Sequence, residues 1–433
     1  MRRKVTRAVL STFLSLALLA GELTAAQAQA AASRTLETDV AAPSSATVFA
    51  GVYGSYVTEA KKALSRLNAI RLEACRQGVP NPENPSKKLT EKDYAPLQWS
   101  SDLEYMARIR AAEASVYLQH DRPNGKSCFT VKSPHSVAAC AEVLAWNTSD
   151  SMMRGIEQWY DEKEDWVKQN DRAVTGHYTS IINPENTYVG IGTFLSENGY
   201  YSNTTCGRFA EGTGYDTAMM PAVPDCMQII EVVKSALGAP EISPKSAKIG
   251  YVGRSQTYFL TREFSTFIKS NHSNSRLQTY VPGHIKWTSS RPAVASVDSA
   301  GKVKMLKTGK TKITAVSDSG TSASFTLEVV KEIKRSDMKK TAITKVVSGK
   351  KKLKVKWKKM KKNTMGYEIQ YSTSKKFSGK AKRKRVTGCN KNSVTLKKLK
   401  SNKKYYVRVR TYYKMPSTTY YSAWSKAKGK KVK

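Results

Sequence analysis

The sequence predicts a multidomain protein in which an α+β layer sandwich is followed by two all-β sandwiches. Apolar residues recur at helical spacing up to about residue 167, and strand-like segments follow as far as residue 210. From residue 241 onward, short segments of alternating apolar and polar residues are separated by turns, which is typical of sheets with one buried face. Charge divides the chain too: residues 331–433 hold 36 Lys and Arg against three acids, +33 of the chain's +39. Such asymmetry indicates a separate module with its own partner.

Residues 1–30 have the features of a signal peptide. Basic residues at positions 2–7 precede an apolar segment at 9–20, and Ala-Gln-Ala cleavage sites follow at 26–28 and 28–30. A membrane span needs about 18 or more apolar residues, so this segment is too short to be one. We therefore expect a secreted protein with no transmembrane segment after the signal is removed. Residues 31–50, rich in Ala, Ser and Thr, are predicted to be a flexible leader.

Helices are predicted in four places in the first domain, which we place at residues 51–239. The first begins at Ser55 and has its apolar residues at Tyr56, Ala60, Ala63, Leu64, Leu67 and Ile70. Ser101 is expected to cap the second, whose inner face carries Leu103, Met106, Ala107, Ala111 and Ala114. A third covers residues 152–167, and a fourth covers 228–233 before the break at Gly238. Strands are predicted at 188–194, 199–201 and 206–210.

Six cysteines fit an oxidising compartment. The pairs closest in sequence are Cys128–Cys140 and Cys206–Cys226, which leave Cys75 and Cys389. Because six cysteines allow 15 connectivities, the sequence does not choose among them.

Four polar residues stand in distinctive local contexts. His120 follows Gln119, Glu142 opens Glu-Val-Leu-Ala-Trp, Glu162 ends Trp-Tyr-Asp-Glu, and His177 lies in Gly-His-Tyr-Thr. Their order and spacing resemble the CAP superfamily, which comprises cysteine-rich secretory proteins, antigen 5 and pathogenesis-related 1 proteins. The resemblance implies a three-layer α-β-α sandwich with these four side chains in one surface cleft.

The same resemblance implies that His120 and His177 are ligands of a divalent cation such as Zn²⁺, with Glu142 and Glu162 lining the cleft and bonding the histidines or bound water. Imidazole and carboxylate groups suit such a cation. This chain departs from the family pattern at Ala141 and Val143, which flank Glu142, and at Ser180 after the Gly-His-Tyr-Thr motif. Glu164 is an alternative to Glu162, and on a helix only one of the two can face the cleft.

Binding is the function that the family resemblance implies, with a lipid, wall or host component as the ligand, so no catalytic residue is predicted. One alternative is a metal-assisted hydrolase of wall or host polymers that uses Glu142 or His177 as general base. Neither the His-Glu-x-x-His nor the Gly-x-Ser-x-Gly motif occurs in the sequence. A second alternative is a structural adhesin with a vestigial cleft.

The two β domains carry their own resemblances. Residues 287–314 resemble a group 2 bacterial immunoglobulin-like domain, placed at 240–331, although residues 245–283 depart from that pattern. Residues 335–433, with alternating Leu353, Val355 and Trp357, resemble a lysine-rich fibronectin type III domain.

A polycation of this kind outside the cell will attract anionic polymers. We expect residues 335–433 to bind anionic wall polymers or acidic glycans and to hold the protein non-covalently at a bacterial surface. The alternative is that the lysines only keep the domain soluble. Export argues against nucleic acid as the physiological partner.

Overall fold

The computed structural model describes residues 34–245, 247–268, 273–379, 381–415 and 418–433. The predicted signal peptide lies outside these ranges. Two compact units are formed, one by residues up to 306 together with 310–328, the other by residues 307–309 together with 329–433. No helix in the described ranges is both long enough and apolar enough to span a membrane.

Apart from residue 309 and residues 329–330, the first unit contains the α-helices and nineteen of the strands described here. The helices are α1 (Ala60–Gln77), α2 (Ser101–Val116), α3 (Met152–Tyr160), α4 (Lys163–Val167) and α5 (Gly176–Ile182). The strands are β1 (Arg34–Leu36), β2 (Thr47–Val57), β3 (Pro80–Asn81), β4 (Asn84–Lys88), β5 (Gln98–Trp99), β6 (Ala141–Asn147), β7 (Tyr188–Ser196), β8 (Asn203–Ala210), β9 (Val223–Val233), β10 (Glu241–Ser243), β11 (Ile249–Tyr251), β12 (Ser255–Thr257), β13 (Phe259–Ile268), β14 (Ser273–Tyr280), β15 (Ile285–Ser289), β16 (Ala295–Val297), β17 (Lys302–Met305), β18 (Gly309–Ser317) and β19 (Ser322–Val330).

A ten-stranded sheet forms the middle layer of the first unit. Its main path is β10-β13-β14-β2-β7-β8-β6, so β6 is an edge strand, while β9 pairs with β2 and β5 with β7. Helices α1, α3 and α5 pack on one face against Val143 and Ile191. Helix α2 packs on the other face against Leu144 and Cys206. The predicted three-layer α-β-α sandwich is therefore confirmed.

Two glycines in β7 let helix α2 lie close to the sheet. A Cβ atom on Gly190 would come within 2.0 Å of the backbone nitrogen of Glu104, and one on Gly192 within 2.4 Å of that of Arg108. Both contacts are with backbone, which cannot rotate away. The sequence Gly-Ile-Gly is thus a requirement for the contact between the helix and the strand.

Three predictions about the ends of the first domain differ from the structure. Residues 34–50 are not a flexible leader, because β1 pairs in parallel with β9 and β2 runs through the middle of the sheet. Residues 228–233 are not a helix but the end of β9, and the first predicted helix begins at Ala60 rather than at Ser55. A strand buried on both faces has a continuous apolar sequence, and such a sequence has no period that distinguishes it from a buried helix.

The segment after residue 240 contributes to two structures. Strands β10, β13 and β14 continue the ten-stranded sheet, with Tyr280 paired to Gly51. The remaining strands form a sandwich of a four-stranded sheet, β11-β19-β18-β15, and a three-stranded sheet, β12-β17-β16. The predicted boundary at 239–240 therefore does not separate the sheet of the first domain from the strands that follow it.

All six cysteines are free thiols, and neither of the two pairs closest in sequence is formed. Cys206 lies on β8 and Cys226 on β9, and strands β7 and β2 lie between these two strands. Three strand spacings amount to about 14 Å, well beyond the separation that a disulfide bridges. Cys128 is buried, whereas Cys140 is exposed.

The second unit is an all-β sandwich, as predicted. Its strands are β20 (Ile343–Gly349), β21 (Lys352–Trp357), β22 (Gly366–Ser372), β23 (Lys382–Thr387), β24 (Ser393–Leu396), β25 (Lys404–Lys414), β26 (Thr419–Tyr421) and β27 (Lys428–Lys431). One sheet has the order β20-β21-β24, and the other the order β23-β22-β25-β26 with β27 also on β25. Trp357, Tyr367 and Val407 are among the residues buried between the two sheets.

Substitution of Gly190 by alanine tests the contact between α2 and β7. We expect Gly190→Ala to destabilise the first unit by about 2–3 kcal/mol, because the new methyl group forces the helix away from the strand. Gly176→Ala is the control, since a Cβ there meets no atom within 4 Å. Amide hydrogen exchange over α2 and β7 measures the loss, and equal protection in both variants would contradict it.

Candidate functional site

The four predicted cleft residues come from both faces of the sheet and meet at the open edge of β6. Glu142 is on β6 itself, and His120 lies in the segment after α2. Glu162 precedes α4, and His177 is the second residue of α5, on the opposite face of the sheet. Because β6 is at the edge of the sheet, side chains from its two faces can approach one another around that edge.

Glu142 is held between two buried arginines. Its Oε2 accepts hydrogen bonds from Arg110 Nε at 2.9 Å and from Arg208 Nη1 at 2.6 Å. All three side chains are at most 1% exposed. Burial by itself would raise the pKa of Glu142, but the charge of Arg110, aided by hydrogen bonds and by Arg208, lowers the pKa to about 2. The carboxylate therefore stays ionised throughout the physiological range.

His120 is anchored to the same group. Its Nδ1 lies 3.0 Å from Glu142 Oε1, and its side chain remains 54% exposed. Arg110 also donates from Nη2 to the backbone carbonyls of Gln119 and His120. One guanidinium group thus positions both the carboxylate and the backbone that carries the histidine.

Glu162 binds His177 in a different way. Its Oε1 is 2.5 Å from His177 Nδ1, while Oε2 accepts from the backbone N–H groups of His177 and Tyr178. These N–H groups are at the N-terminus of α5, where such groups lack partners within the helix and where the helix dipole favours an anion. Glu162 therefore caps α5 and orients the histidine at once.

Glu164, the alternative to Glu162, points into solvent. Its side chain is 83% exposed and pairs with Lys168 at 2.9 Å. Of the two acids, only Glu162 lines the cleft.

The two imidazole rings face each other. Their centroids are 6.3 Å apart and their planes differ by 25°. Carboxylates only accept hydrogen bonds, so in each neutral ring the proton belongs on Nδ1 and the lone pair on Nε2. The lone pairs of the two Nε2 atoms therefore remain available to a ligand or a cation, and each ring is oriented by a carboxylate.

A charge-balanced network extends from the cleft into the protein. Arg110 Nη1 donates to Glu113, whose carboxylate also binds Arg122. Arg122 in turn pairs with Asp39, a residue of the segment predicted to be a flexible leader. Burial by itself would raise the pKa of Asp39, but the hydrogen bond and charge of Arg122 lower it.

The arginines of this network were not predicted. Arg110 lies four residues after Met106 on the inner face of α2. A charged residue within this apolar stripe is the one feature of the sequence that indicates a buried ion pair. Nothing in the sequence indicates that Arg110 contacts Glu142 or lies near Arg208.

Of the two candidate general bases, Glu142 is the less suitable, because His177 keeps the lone pair on Nε2. Glu142, one candidate base, has a lowered pKa and carries hydrogen bonds on both oxygens. Ser180 Oγ donates to the carbonyl of Gly176 at 2.7 Å, within its own helix. In the described part of the chain, no group of three or more His, Cys, Asp or Glu is arranged to hold a metal ion.

A third histidine–carboxylate pair lies elsewhere in the first unit. His135 Nδ1 is 3.0 Å from Asp102 Oδ2, and the pair lines a cavity of about 770 Å³ with Cys140, Glu211 and Tyr215. No sequence motif marks this pair, since 33 residues separate its members.

Comparison with known families confirms the domain order. The chain is a multidomain protein built from three domain families that are typical of extracellular proteins. Residues 64–208 are a domain of the cysteine-rich secretory protein family, residues 265–327 a bacterial Ig-like domain of group 2, and residues 342–425 a fibronectin type III domain. A comparison with curated proteins finds no match.

Solved structures similar to this chain include the fibronectin type III domain of the human collagen α-1(XX) chain. It is 20% identical, covers 22% of this chain and 87% of its own, and has a TM-score of 0.19. A structure titled as a myokine is 18% identical, covers 21% and 95%, and has a TM-score of 0.17. At these TM-scores neither likeness bears on the function.

The buried network makes the stability of the first unit depend on pH. Glu142 titrates near 4.5 when unfolded and near 2 when folded, so the folded state binds fewer protons between these values. Its contribution, about 3 kcal/mol, is therefore complete above pH 4.5 and is lost as pH falls towards 2. Hydrogen exchange over α2 and β6 between pH 6 and pH 3 measures the loss.

Glu142→Gln should remove that part of the pH dependence. The substitution should also lower the free energy of unfolding of the first unit by about 3–5 kcal/mol at neutral pH, because two buried arginines lose their shared carboxylate. Glu164→Gln is the matched control, since its carboxylate is exposed. The same pH profile in Glu142→Gln and wild type would contradict the assignment.

Proposed function

We propose that this protein is a secreted binding protein whose histidine cleft takes a ligand that is a lipid, wall or host component. The observation that supports a binding role is the facing pair of imidazoles, His120 and His177, each with its Nδ1 engaged by a carboxylate. A ring oriented in this way presents Nε2 at a defined position without further ordering, which lowers the entropic cost of binding.

A divalent cation such as Zn²⁺ fits the donor set. His120 and His177 would hold it through Nε2, while Glu142 and Glu162 would orient the rings from behind, as carboxylates commonly do for metal-bound histidines. Two protein ligands leave positions of a tetrahedral ion open to water or to an oxygen of the bound molecule. Bound there, the ion would supply a Lewis-acidic contact for that oxygen.

The basic second unit is proposed to hold the protein at an anionic surface. Between residues 331 and 433 the sequence has only three acids, Glu332, Asp337 and Glu368, for 36 basic residues. Internal ion pairs therefore cannot neutralise the module. Attraction to wall polymers or acidic glycans would supply the missing counter-charge.

Calorimetric titration with Zn²⁺ tests the cleft. We expect His120→Ala combined with His177→Ala to weaken Zn²⁺ binding at least tenfold, because both nitrogen donors are removed. His135→Ala is the matched control: it also removes a histidine paired with a carboxylate, but outside the cleft. Unchanged affinity in the double variant, or an equal loss in the control, would contradict the cation site.

Retention of the full chain on beads of an anionic polymer tests the second unit. We expect retention to fall steeply between about 0.05 M and about 0.5 M NaCl, because salt screens exposed charges. Beads of a neutral polymer are the control. Retention that does not change with salt, or equal retention on neutral beads, would contradict the electrostatic association.

A further inference from the structure

Two rows of side chains cross the outer face of the second unit's larger sheet at equivalent positions. In the first row, Glu368 of β22 is paired with Arg385 of β23 and with Arg410 of β25. In the second row, two residues further along β22, Gln370 is the central residue. Its neighbours are Arg383 on β23 and Arg408 on β25, so both rows have an arginine on each side.

The first row is internally neutralised. Glu368 is 3% exposed, and its carboxylate accepts from Arg410 Nη2 at 2.6 Å and from Arg385 Nε at 3.1 Å. Two guanidinium groups from opposite neighbouring strands thus hold one carboxylate. The row shows that this sheet geometry positions a pair of arginines for a carboxylate, the group that their planar fork matches best.

The second row lacks the carboxylate. Gln370 is buried like Glu368, and its Oε1 accepts from Arg408 Nε at 2.7 Å, but an amide brings no charge. Within the described residues no acid forms an ion pair with Arg383 or Arg408. Burial lowers the pKa of Arg408, and the charges of Arg410 and Arg383 lower it further, so these groups repel one another.

Aromatic rings hold the second row in place. The Arg408 guanidinium lies 4.2 Å from the ring centre of Phe377 and 4.7 Å from that of Trp424. The guanidinium therefore packs against two rings, and its Nε–H donates to Gln370. Arg383 is exposed at the edge of the sheet, so an anion can reach the row from solvent.

We propose that Arg383 and Arg408 form a clamp for carboxylate groups of an acidic polysaccharide. The inference rests on the proposed surface association and assigns it to one face of the module. In the first row the chain itself supplies the carboxylate, through Glu368; in the second the ligand supplies it. A polymer with a carboxylate on every sugar offers the clamp many equivalent groups, while the surrounding lysines attract it over a longer range.

Single-stranded nucleic acid fits this face less well. Nucleic-acid bases bind such surfaces by stacking on free aromatic rings. The Trp424 ring already lies against both Arg408 and Arg410, and the Tyr421 ring lies 3.7 Å from the Arg410 guanidinium. Base stacking would have to displace these contacts, whereas a carboxylate needs only the N–H edges.

Gln370→Glu is the decisive variant, because it makes the second row a copy of the first. We expect the internal carboxylate to neutralise the clamp and to weaken binding of the full chain to polygalacturonate at least tenfold. Lys354→Gln is the matched control: it also lowers the net charge by one, but on the exposed face of the other sheet, in β21. We expect it to change the affinity less than about threefold, as one screened surface charge does.

A second pair of variants does not alter the buried residue. Arg383→Gln removes half of the clamp, while Lys382→Gln removes the same charge from the adjacent residue, which is opposite the core-facing Tyr371. We expect only Arg383→Gln to weaken binding tenfold or more. Far-ultraviolet circular dichroism and thermal unfolding verify that all four variants are folded.

Each outcome distinguishes the clamp from the general association. Equal losses in clamp and control variants would overturn the clamp and leave the surface association intact. A wild-type chain that binds no polyanion would overturn both. An equal effect of Gln370→Glu on polyphosphate or oligo(dT) binding would overturn the assignment to a carboxylated polysaccharide.

Discussion

The cleft depends on one buried interaction, the carboxylate of Glu142 between Arg110 and Arg208. Charges this deeply buried are tolerated only when they are paired and hydrogen-bonded. The network achieves this balance with three carboxylates, those of Glu142, Glu113 and Asp39, and three guanidinium groups, those of Arg110, Arg208 and Arg122. Because its members come from α2, the segment after α2, β6, β8 and the N-terminal segment, the charge balance also fixes where these elements meet. The position of His120 follows from that junction.

The same balance decides what Glu142 can do. A carboxylate that binds two guanidinium groups is a weak base, yet it is a rigid acceptor for the Nδ1 proton of His120. Glu162 is likewise a rigid acceptor for the Nδ1 proton of His177, because its second oxygen caps α5 by accepting from backbone N–H groups. Each glutamate therefore orients one histidine, but Glu142 is held by arginine side chains and Glu162 by backbone N–H groups. Both leave the Nε2 atoms of the two histidines as the ring nitrogens available to a ligand, a cation or a proton.

The sequence predicted the cleft residues better than their supports. His120, Glu142, Glu162 and His177 each stand in a short local context, and such contexts can be read from a few neighbouring residues. The link from Glu142 to Arg208 joins neighbouring strands across 66 positions, and no local pattern encodes it. The prediction of a helix at 228–233 is wrong for a related reason: a strand buried on both faces lacks the alternation of apolar and polar residues that would identify it. Closeness in sequence did not indicate how the cysteines are arranged either, because it says nothing about the order of strands in the sheet.

The two units differ in how the charges of their arginines are neutralised. In the first unit, the buried arginines of the network form ion pairs with carboxylates of the same unit, and salt screens such buried pairs little. In the second, Glu368 neutralises one row of the sheet, and Gln370 stands where a second carboxylate would be needed. With an amide in place of the acid, the second row has two guanidinium groups and no carboxylate of its own, whereas the first row is a structural ion pair. The surface association proposed for the second unit and the geometry of the cleft therefore depend on different electrostatics, the one on exposed charges that salt screens and the other on buried pairs that it does not.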